Sequence, residues 1–244
     1  MVDELSIIIP TLNEEKYLPS LLNSILAQNY NGKMQIIVVD GSSKDRTIQI
    51  ANEYKLKFSD LLIIVSQKRG VSYQRNRGAE KAKYKYLFFI DADMILPHGF
   101  INRFLKEINE KECSIDIANI WLAERDLLQR FVFSILNPLI ITIVALDKIT
   151  PGLLMVTKKE THLKITGFRE DLKIGEDTDY GWRSIQAGAK FHFHFLTYAL
   201  HSARRIQKVG MLRFYYEYLR GYLLVKRYGI ERAEREMTHT YRNF

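Results

Sequence analysis

Short apolar runs alternating with longer stretches of helical periodicity govern the first half of this 244-residue chain. Leu5–Ile9, Ile36–Val39, Leu61–Val65 and Tyr86–Ile90 are rich in β-branched and aromatic residues and bounded by turn-forming sequence, which predicts buried strands. Between them, Glu15–Leu26 carries Leu18, Leu21, Leu22, Ile25 and Leu26 at helical spacing. Asp45–Tyr54, Val71–Lys83 and Gly99–Glu110 predict further helices. Strands separated by helices of about ten to fifteen residues imply an α/β fold, with a Rossmann-like, mainly parallel central sheet flanked by helices. Ligands of such sheets bind beyond the carboxyl ends of the strands, so the residues after each strand are the candidates for chemistry.

The most telling of these ends is Asp91-Ala92-Asp93, directly after Tyr86–Ile90. Alternation can aim both acids into one crevice, where they repel unless a cation or buried donors sit between them. A hard divalent ion bridging to phosphate oxygens satisfies that demand, although acids at strand ends also serve as caps and turn residues. Pro10-Thr11-Leu12-Asn13-Glu14 follows the first strand, and Asp40-Gly41-Ser42-Ser43 follows the second, where Asp40 is placed to accept from a base N–H. Arg69–Gly78 brings cations and amides to a helix start, where Arg75 faces a pyrophosphate or a base edge, or belongs to a solvated basic face. No Gly-x-Gly-x-x-Gly and no Walker loop occurs, so dinucleotide and P-loop readings lack their fingerprint.

The second half is less regular. Asp116–Trp121, Leu153–Val156 and Lys190–Leu196 predict strands, with helices over Lys158–Leu163 and Asp179–Ala187 and a stop at Gly188. Glu176-Asp177-Thr178-Asp179 precedes the latter helix, and a capping role accounts for one of its acids but not for all three. A carboxylate there can deprotonate an incoming hydroxyl. Farther on, His201 can complete a metal shell, and Arg204 or Arg205 can pair with phosphate.

A single cysteine, Cys113, rules out a disulfide framework and a thiolate zinc cluster. The net charge of +8 is concentrated in residues 201–244, which hold ten Lys and Arg against four Asp and Glu. A basic tail on a nearly neutral body argues against nucleic-acid wrapping and for one anionic surface or ligand. Within it, Met211–Tyr228 interleaves aromatics with Arg213, Arg220, Lys226 and Arg227. This suits either an anionic membrane interface or a helix packed on the domain with its basic face in water. Phe131–Leu146 runs sixteen residues without a charge, broken by Asn137-Pro138. It is short of the roughly 20 needed to span hydrocarbon, and reads as a buried or substrate-covering helix pair or as a membrane-dipping segment. Met1-Val2-Asp3-Glu4 leads into a strand with no basic leader, so a cytoplasmic protein is expected, one that can sit peripherally on the membrane's cytoplasmic face.

Taken in order, "SIIIPTLNEEKYLPSLLNSI" from Ser6, "VVDGSSKDRT" from Val38, "RGVSYQRNRGAEKA" from Arg69, "FFIDADM" from Phe88 and "TGFREDLKIGEDTDYGWRSIQAGAK" from Thr166 resemble an inverting family 2 glycosyltransferase of the GT-A fold. The resemblance implies transfer of a single sugar from a UDP- or GDP-sugar to a glycan or lipid-linked acceptor. It implies that Pro10, Thr11 and Glu14 line the nucleoside pocket, Asp40 binds the base and Arg75 lies along the donor. Asp91 would approach the ribose or metal, and Asp93 would coordinate Mn²⁺ or Mg²⁺. Asp177 would be the general base, with Glu176 supporting the acceptor. The Gln-x-x-Arg-Trp signature of processive members is absent, and the common Gly-Gly-Phe is Thr166-Gly167-Phe168 here. The expected organisation is a catalytic domain over 1–200, with a nucleotide-sugar half to about 120 and an acceptor half beyond it. A basic, amphipathic helical extension follows over 201–244, able to pair with a second copy. The rival readings are a metal-dependent nucleotidyltransferase and a noncatalytic sugar- or lipid-binding module.

Overall fold

A computed structural model describes residues 4–111, 114–122, 127–150 and 152–241; Cys113 lies outside them. Eight strands form one sheet: β1 (Glu4–Thr11), β2 (Lys33–Asp40), β3 (Leu61–Val65), β4 (Tyr86–Ile90), β5 (Met94–Ile95), β6 (Ile115–Leu122), β7 (Leu154–Lys158) and β8 (Phe191–His201). Their spatial order is β3-β2-β1-β4-β7-β6-β8-β5. The β3-β2-β1-β4 half is parallel, β7 runs antiparallel to β4 and β6, β6 and β8 are parallel, and β5 closes the edge antiparallel to β8. The expected mainly parallel α/β sheet is present.

Alternation explains the two-sided core. Ile7, Ile9, Phe88 and Ile90 point to one face, where they meet α1 (Leu18–Leu26) and α4 (Phe100–Lys111). Ile8, Leu87 and Phe89 point to the other, against Phe168 and Tyr180. α2 (Thr47–Glu53) and α3 (Val71–Lys81) complete the crossovers of the parallel half. Helix α1 starts three residues later than expected, with Pro19 in its first turn, where a missing N–H costs nothing.

The remaining helices are α5 (Leu127–Leu146), α6 (Lys159–Lys164), α7 (Glu176–Gln186), α8 (Arg204–Val209), α9 (Met211–Tyr228) and α10 (Ile230–Tyr241). Phe131–Leu146 is not a helix pair but part of the single α5, with Pro138 inside it. Val144 is buried, and Ile140 and Ile141 pack on the second core face, so tertiary contacts outweigh the proline's cost. Among the described residues, no helix is long and apolar enough to cross a membrane. Beyond the sheet, α8 to α10 form the expected helical extension, with α9 packed on both α8 and α10.

Candidate active site

Register brings the strand ends together. Thr11 is paired with Asp40 across β1 and β2, and the β1–β4 ladder ends at Ile8 and Phe89, so at Pro10 pairing with β4 has ended while that with β2 continues. Asp40 is fully buried. Its Oδ1 accepts from the Ser43 N–H at 2.8 Å, and its Oδ2 accepts from Thr11 Oγ1 at 3.1 Å and from the Ser43 hydroxyl. Three donors therefore occupy three of its roughly four lone-pair sites.

Two guanidiniums tie the acids of this edge in pairs. Arg75, on α3, is only 2% exposed. It donates to Asp91 Oδ1 at 2.9 Å, to Glu176 Oε1 at 3.2 Å and to the Gly152 carbonyl at 2.7 Å. Burial opposes its charge, but Asp91, Glu176 and Asp177 outweigh that and hold its pKa above the ordinary value. Arg204, at the start of α8, makes a bidentate contact with Glu14 at 2.8 and 2.9 Å, and its Nε lies 3.0 Å from Asp93 Oδ2. Glu14 anchors the first loop through its own N–H, which donates to Thr47 Oγ1 at 2.8 Å.

The two acids of the Asp-x-Asp pair differ in character. Burial raises the Asp91 pKa despite Arg75 beside it. Burial also works on Asp93, yet the His201 hydrogen bond and the charges of His201 and Arg204 prevail, and its pKa is lowered. The pairing of β5 with the end of β8 sets Met94 opposite His201, and this brings His201 Nε2 to 3.2 Å from Asp93 Oδ2. Asp91 is held away from that pair by Arg75. Of the expected Asp91, Asp93 and His201 shell, the structure sets Asp93 beside His201 and gives Asp91 to Arg75 instead.

Helix α7 begins at Glu176, not at Asp179 as the sequence suggests. Gly175 takes a left-handed φ of 77° as its N-cap residue, and neither Thr178 nor Asp179 caps it. Asp179 instead pairs with Arg183 one turn on, at 2.6 Å. Glu176 and Asp177 thus stand in the first turn. Asp177 Oδ2 accepts from the Gly152 N–H at 2.6 Å and Oδ1 from the Thr178 N–H at 2.7 Å, while its carbonyl accepts from Thr150 Oγ1. Burial and the charge of Asp177 push the Glu176 carboxyl up to about 7.

Gly152 is the residue that sequence reasoning missed. Its carbonyl accepts from Arg75 and its N–H donates to Asp177, so it clamps both. A Cβ there would lie 2.9 Å from Arg75 Nη1 and 2.9 Å from the Asp177 Cβ. No motif marks it.

Arg75, Asp91, Asp93, Glu176, Asp177, His201 and Arg204 line one cleft of about 620 Å³. Ile140, Ile141 and Val144 of α5 and Phe214, Tyr215, Tyr218, Tyr222 and Val225 of α9 line it too. Pro10, Thr11, Glu14 and Asp40 are not among its lining residues; they stand on the strand-end side, joined to it by the Glu14–Arg204–Asp93 bridge. The cleft thus combines carboxylates and guanidiniums with apolar residues of α5 and α9.

The chain is similar to known proteins. Glycosyltransferase GlyA of Streptococcus pneumoniae is 29% identical over 119 residues, 49% of this chain and 17% of that protein. The poly(ribitol-phosphate) beta-N-acetylglucosaminyltransferase TarS of Staphylococcus aureus is 33% identical over 90 residues, 36% of this chain and 16% of that protein. The chain thus spans a small part of these relatives' length. A crystal structure of TarS 1–349 in complex with UDP-GlcNAc superimposes with a TM-score of 0.64 at 20% identity, covering 80% of this chain and 57% of that one. The mannosyltransferase PcManGT of Pyrobaculum calidifontis, solved with GDP-Man and Mn²⁺, gives 0.69 at 18% identity, covering 89% and 60%. These likenesses establish the GT-A fold. The sequence profile described as Glycosyl transferase family 2 matches residues 6–163, which contain the first loop, Asp40, Arg75, the Asp-x-Asp pair and Gly152, and the chain belongs to that family.

Proposed function

We propose that the chain transfers one sugar, with inversion, from a UDP- or GDP-sugar to a lipid-linked acceptor such as a polyprenyl phosphate. The observation that carries the acceptor half of this reading is the cleft. It is lined both by its acids and by apolar residues of α5 and α9, and a lipid-linked acceptor needs both. The UDP-GlcNAc and GDP-Man complexes of the structural neighbours support the donor half.

In this reading Pro10, Thr11 and Glu14 flank the nucleoside, and the remaining lone-pair site of Asp40 accepts a base N–H. Arg75 fixes Asp91 and Glu176 along the donor, and Arg204 faces the diphosphate from the Glu14 side. Asp93, His201 and Asp91 would hold Mn²⁺ or Mg²⁺, which when bound offsets the charge on the departing nucleoside diphosphate. The acceptor oxygen forms its bond to the anomeric carbon opposite the leaving group. The carbon–oxygen bond to phosphate breaks, and its electron pair leaves on the nucleoside diphosphate. With a hydroxyl acceptor the proton passes to Asp177, two of whose lone-pair sites remain after Gly152 and Thr178 are served. With a phosphate acceptor there is no proton to remove.

The same reading divides residues 1–200 into donor and acceptor halves near residue 120. It also places 201–244 peripherally on the cytoplasmic, anionic face of a membrane. Leu212, Tyr216, Leu219 and Leu223 form an exposed stripe at helical spacing on α9, among the basic residues of that helix. A homodimer through α9 would cover this stripe instead.

The test is transfer from UDP- and GDP-sugars, with and without a polyprenyl phosphate in detergent, comparing Asp177→Asn with the unaltered chain. Lipid-stimulated nucleoside diphosphate release supports the reading, as does near-normal turnover of Asp177→Asn on phosphate with about 10²- to 10⁴-fold loss on hydroxyl acceptors. Equal release with and without lipid removes the lipid half, and a product that keeps the donor's anomeric configuration removes inversion.

A further inference from the structure

Away from the cleft, a second set of ligating side chains gathers where α4 packs on β8. His192 and His194 are two apart on β8 and so share one face of the strand, with Phe193 on the other. Glu107, one turn beyond Phe104 on α4, reaches the same point. One ligand atom from each of Glu107, His192 and His194 lies within 4.8 Å of the others, and among the described residues this is the one group of three or more such side chains so gathered.

The support around it is of the kind that metal sites carry. His194 is fully buried, and Asp116 Oδ1 lies 3.0 Å from its Nε2. That contact orients the ring and leaves Nδ1, 2.7 Å from Glu107 Oε2, as the nitrogen turned to the site. A carboxylate behind a ligating imidazole fixes its tautomer and raises its basicity. Thr197 Oγ1 donates to the other oxygen of Glu107, and the Phe104 ring lies 4.3 Å from that of His194.

We propose that Glu107, His192 and His194 form a binding site for a divalent transition metal of the zinc class, separate from the donor-side ion. Two imidazoles and a carboxylate with a fourth position open to water is a common zinc set, and hard Mg²⁺ suits it poorly. The edge of a zinc tetrahedron is roughly 3.3 Å, so the 2.7 Å pair of Glu107 and His194 must open slightly, while half-buried His192 closes on it by rotating its ring. Against β6, His194 stands opposite Ala118 and His201 opposite Leu122, four steps or about 13 Å of strand apart because β8 bulges between them, so the ion lies beyond ligand reach of the donor-side acids. It pins α4 to the strand whose far end delivers His201.

The full chain, stripped of metal by chelation, is dialysed against zinc chloride and analysed for bound metal, with Co²⁺ absorption as the geometric readout. Asp93→Ala silences the donor-side position. On that background one zinc per chain is expected, and His192→Gln should remove it, weakening binding by more than the about 10–100-fold that follows loss of a supporting partner. In the otherwise unaltered chain, His192→Gln should lower the zinc count by one and abolish the intense visible bands of four-coordinate Co²⁺, with circular dichroism and turnover unchanged. The same zinc count with and without His192→Gln, or no zinc retained by a folded Asp93→Ala protein, overturns the proposal.

Discussion

Replacing Gly152 with alanine should damage activity far more than stability. The added methyl would lie 2.9 Å from Arg75 Nη1, 2.9 Å from the Asp177 Cβ and 3.0 Å from Arg75 Nη2. Comfortable contacts begin near ~3.5 Å, so something must move by about half an ångström. The glycine cannot readily retreat, because its N–H is bonded to Asp177 and its carbonyl to Arg75. Arg75 cannot readily retreat either, with Asp91 and Glu176 holding its other contacts. Such overpacking costs about 1–3 kcal/mol, and the stiffer unfolded chain of an alanine variant returns about 0.4–1 kcal/mol. The net loss of about 1–2 kcal/mol lowers Tm by about 2–8 °C in a chain of this size. Displacing the Arg75 and Asp177 clamps together should lower kcat by about 10²-fold, the usual consequence of ångström-scale misplacement. Thermal melts and steady-state donor turnover measure both. Gly188→Ala is the control, because its φ of 95° strains an alanine but nothing lies within 4 Å of the new methyl. A Gly152→Ala protein with unchanged Tm and unchanged kcat would refute the close approach and the coupling built on it.

Other outcomes follow from the same geometry. Thr166 is a β-branched residue at φ 59°, and Thr166→Gly should raise stability by about 0.5–1 kcal/mol in denaturant titration, the αL strain exceeding glycine's entropy. Glu176, held up to about 7, binds its proton more tightly folded than unfolded. Its contribution is therefore present below about pH 4.5 and fades as pH rises to about 7, and Glu176→Gln should flatten that part of the stability–pH curve. Arg204→Ala leaves Glu14 without its bidentate partner and Asp93 with His201 alone, so the KM for donor should rise at least about 10-fold while Tm moves little, the guanidinium being partly exposed. Vesicles with anionic lipid should bind the chain more weakly as salt rises, and Leu212→Ser with Leu223→Ser should abolish binding without changing the fold. Binding equal on neutral vesicles would sink the membrane reading.

What the sequence made legible was local. Strand ends were visible because an apolar run stops abruptly at Thr11, Asp40 and Asp91, and alternation is a two-residue signal. The crossover helices were visible for the same reason. Start signals failed at α7, where Thr178 and Asp179 look like caps but Gly175 supplies the left-handed turn one residue before Glu176. Pro138 reads as a break, and only packing on a distant sheet face keeps α5 continuous. Long-range partners were invisible altogether. Arg75 meets Glu176 across 101 residues, and a two-residue strand, too short to carry a pattern, is what sets His201 against Asp93.

That two-residue strand also dictates when competence is acquired during synthesis. The parallel half closes on itself within the first 90 residues, through β1 to β4. Asp93 gains its neighbours only once β8 has emerged and doubled back on β5, and Glu14 waits for an arginine 190 positions downstream. Contacts of such sequence separation form late, after the entropy of closing the intervening chain has been overcome. A nascent or prematurely terminated chain ending near residue 190 would carry a packed Rossmann-like core and both acids of the Asp-x-Asp pair, yet lack His201 and Arg204. The chain therefore completes this edge as one of its last folding events, and under the proposed function a chain that stops near residue 190 lacks the His201 and Arg204 that would serve the metal and the diphosphate.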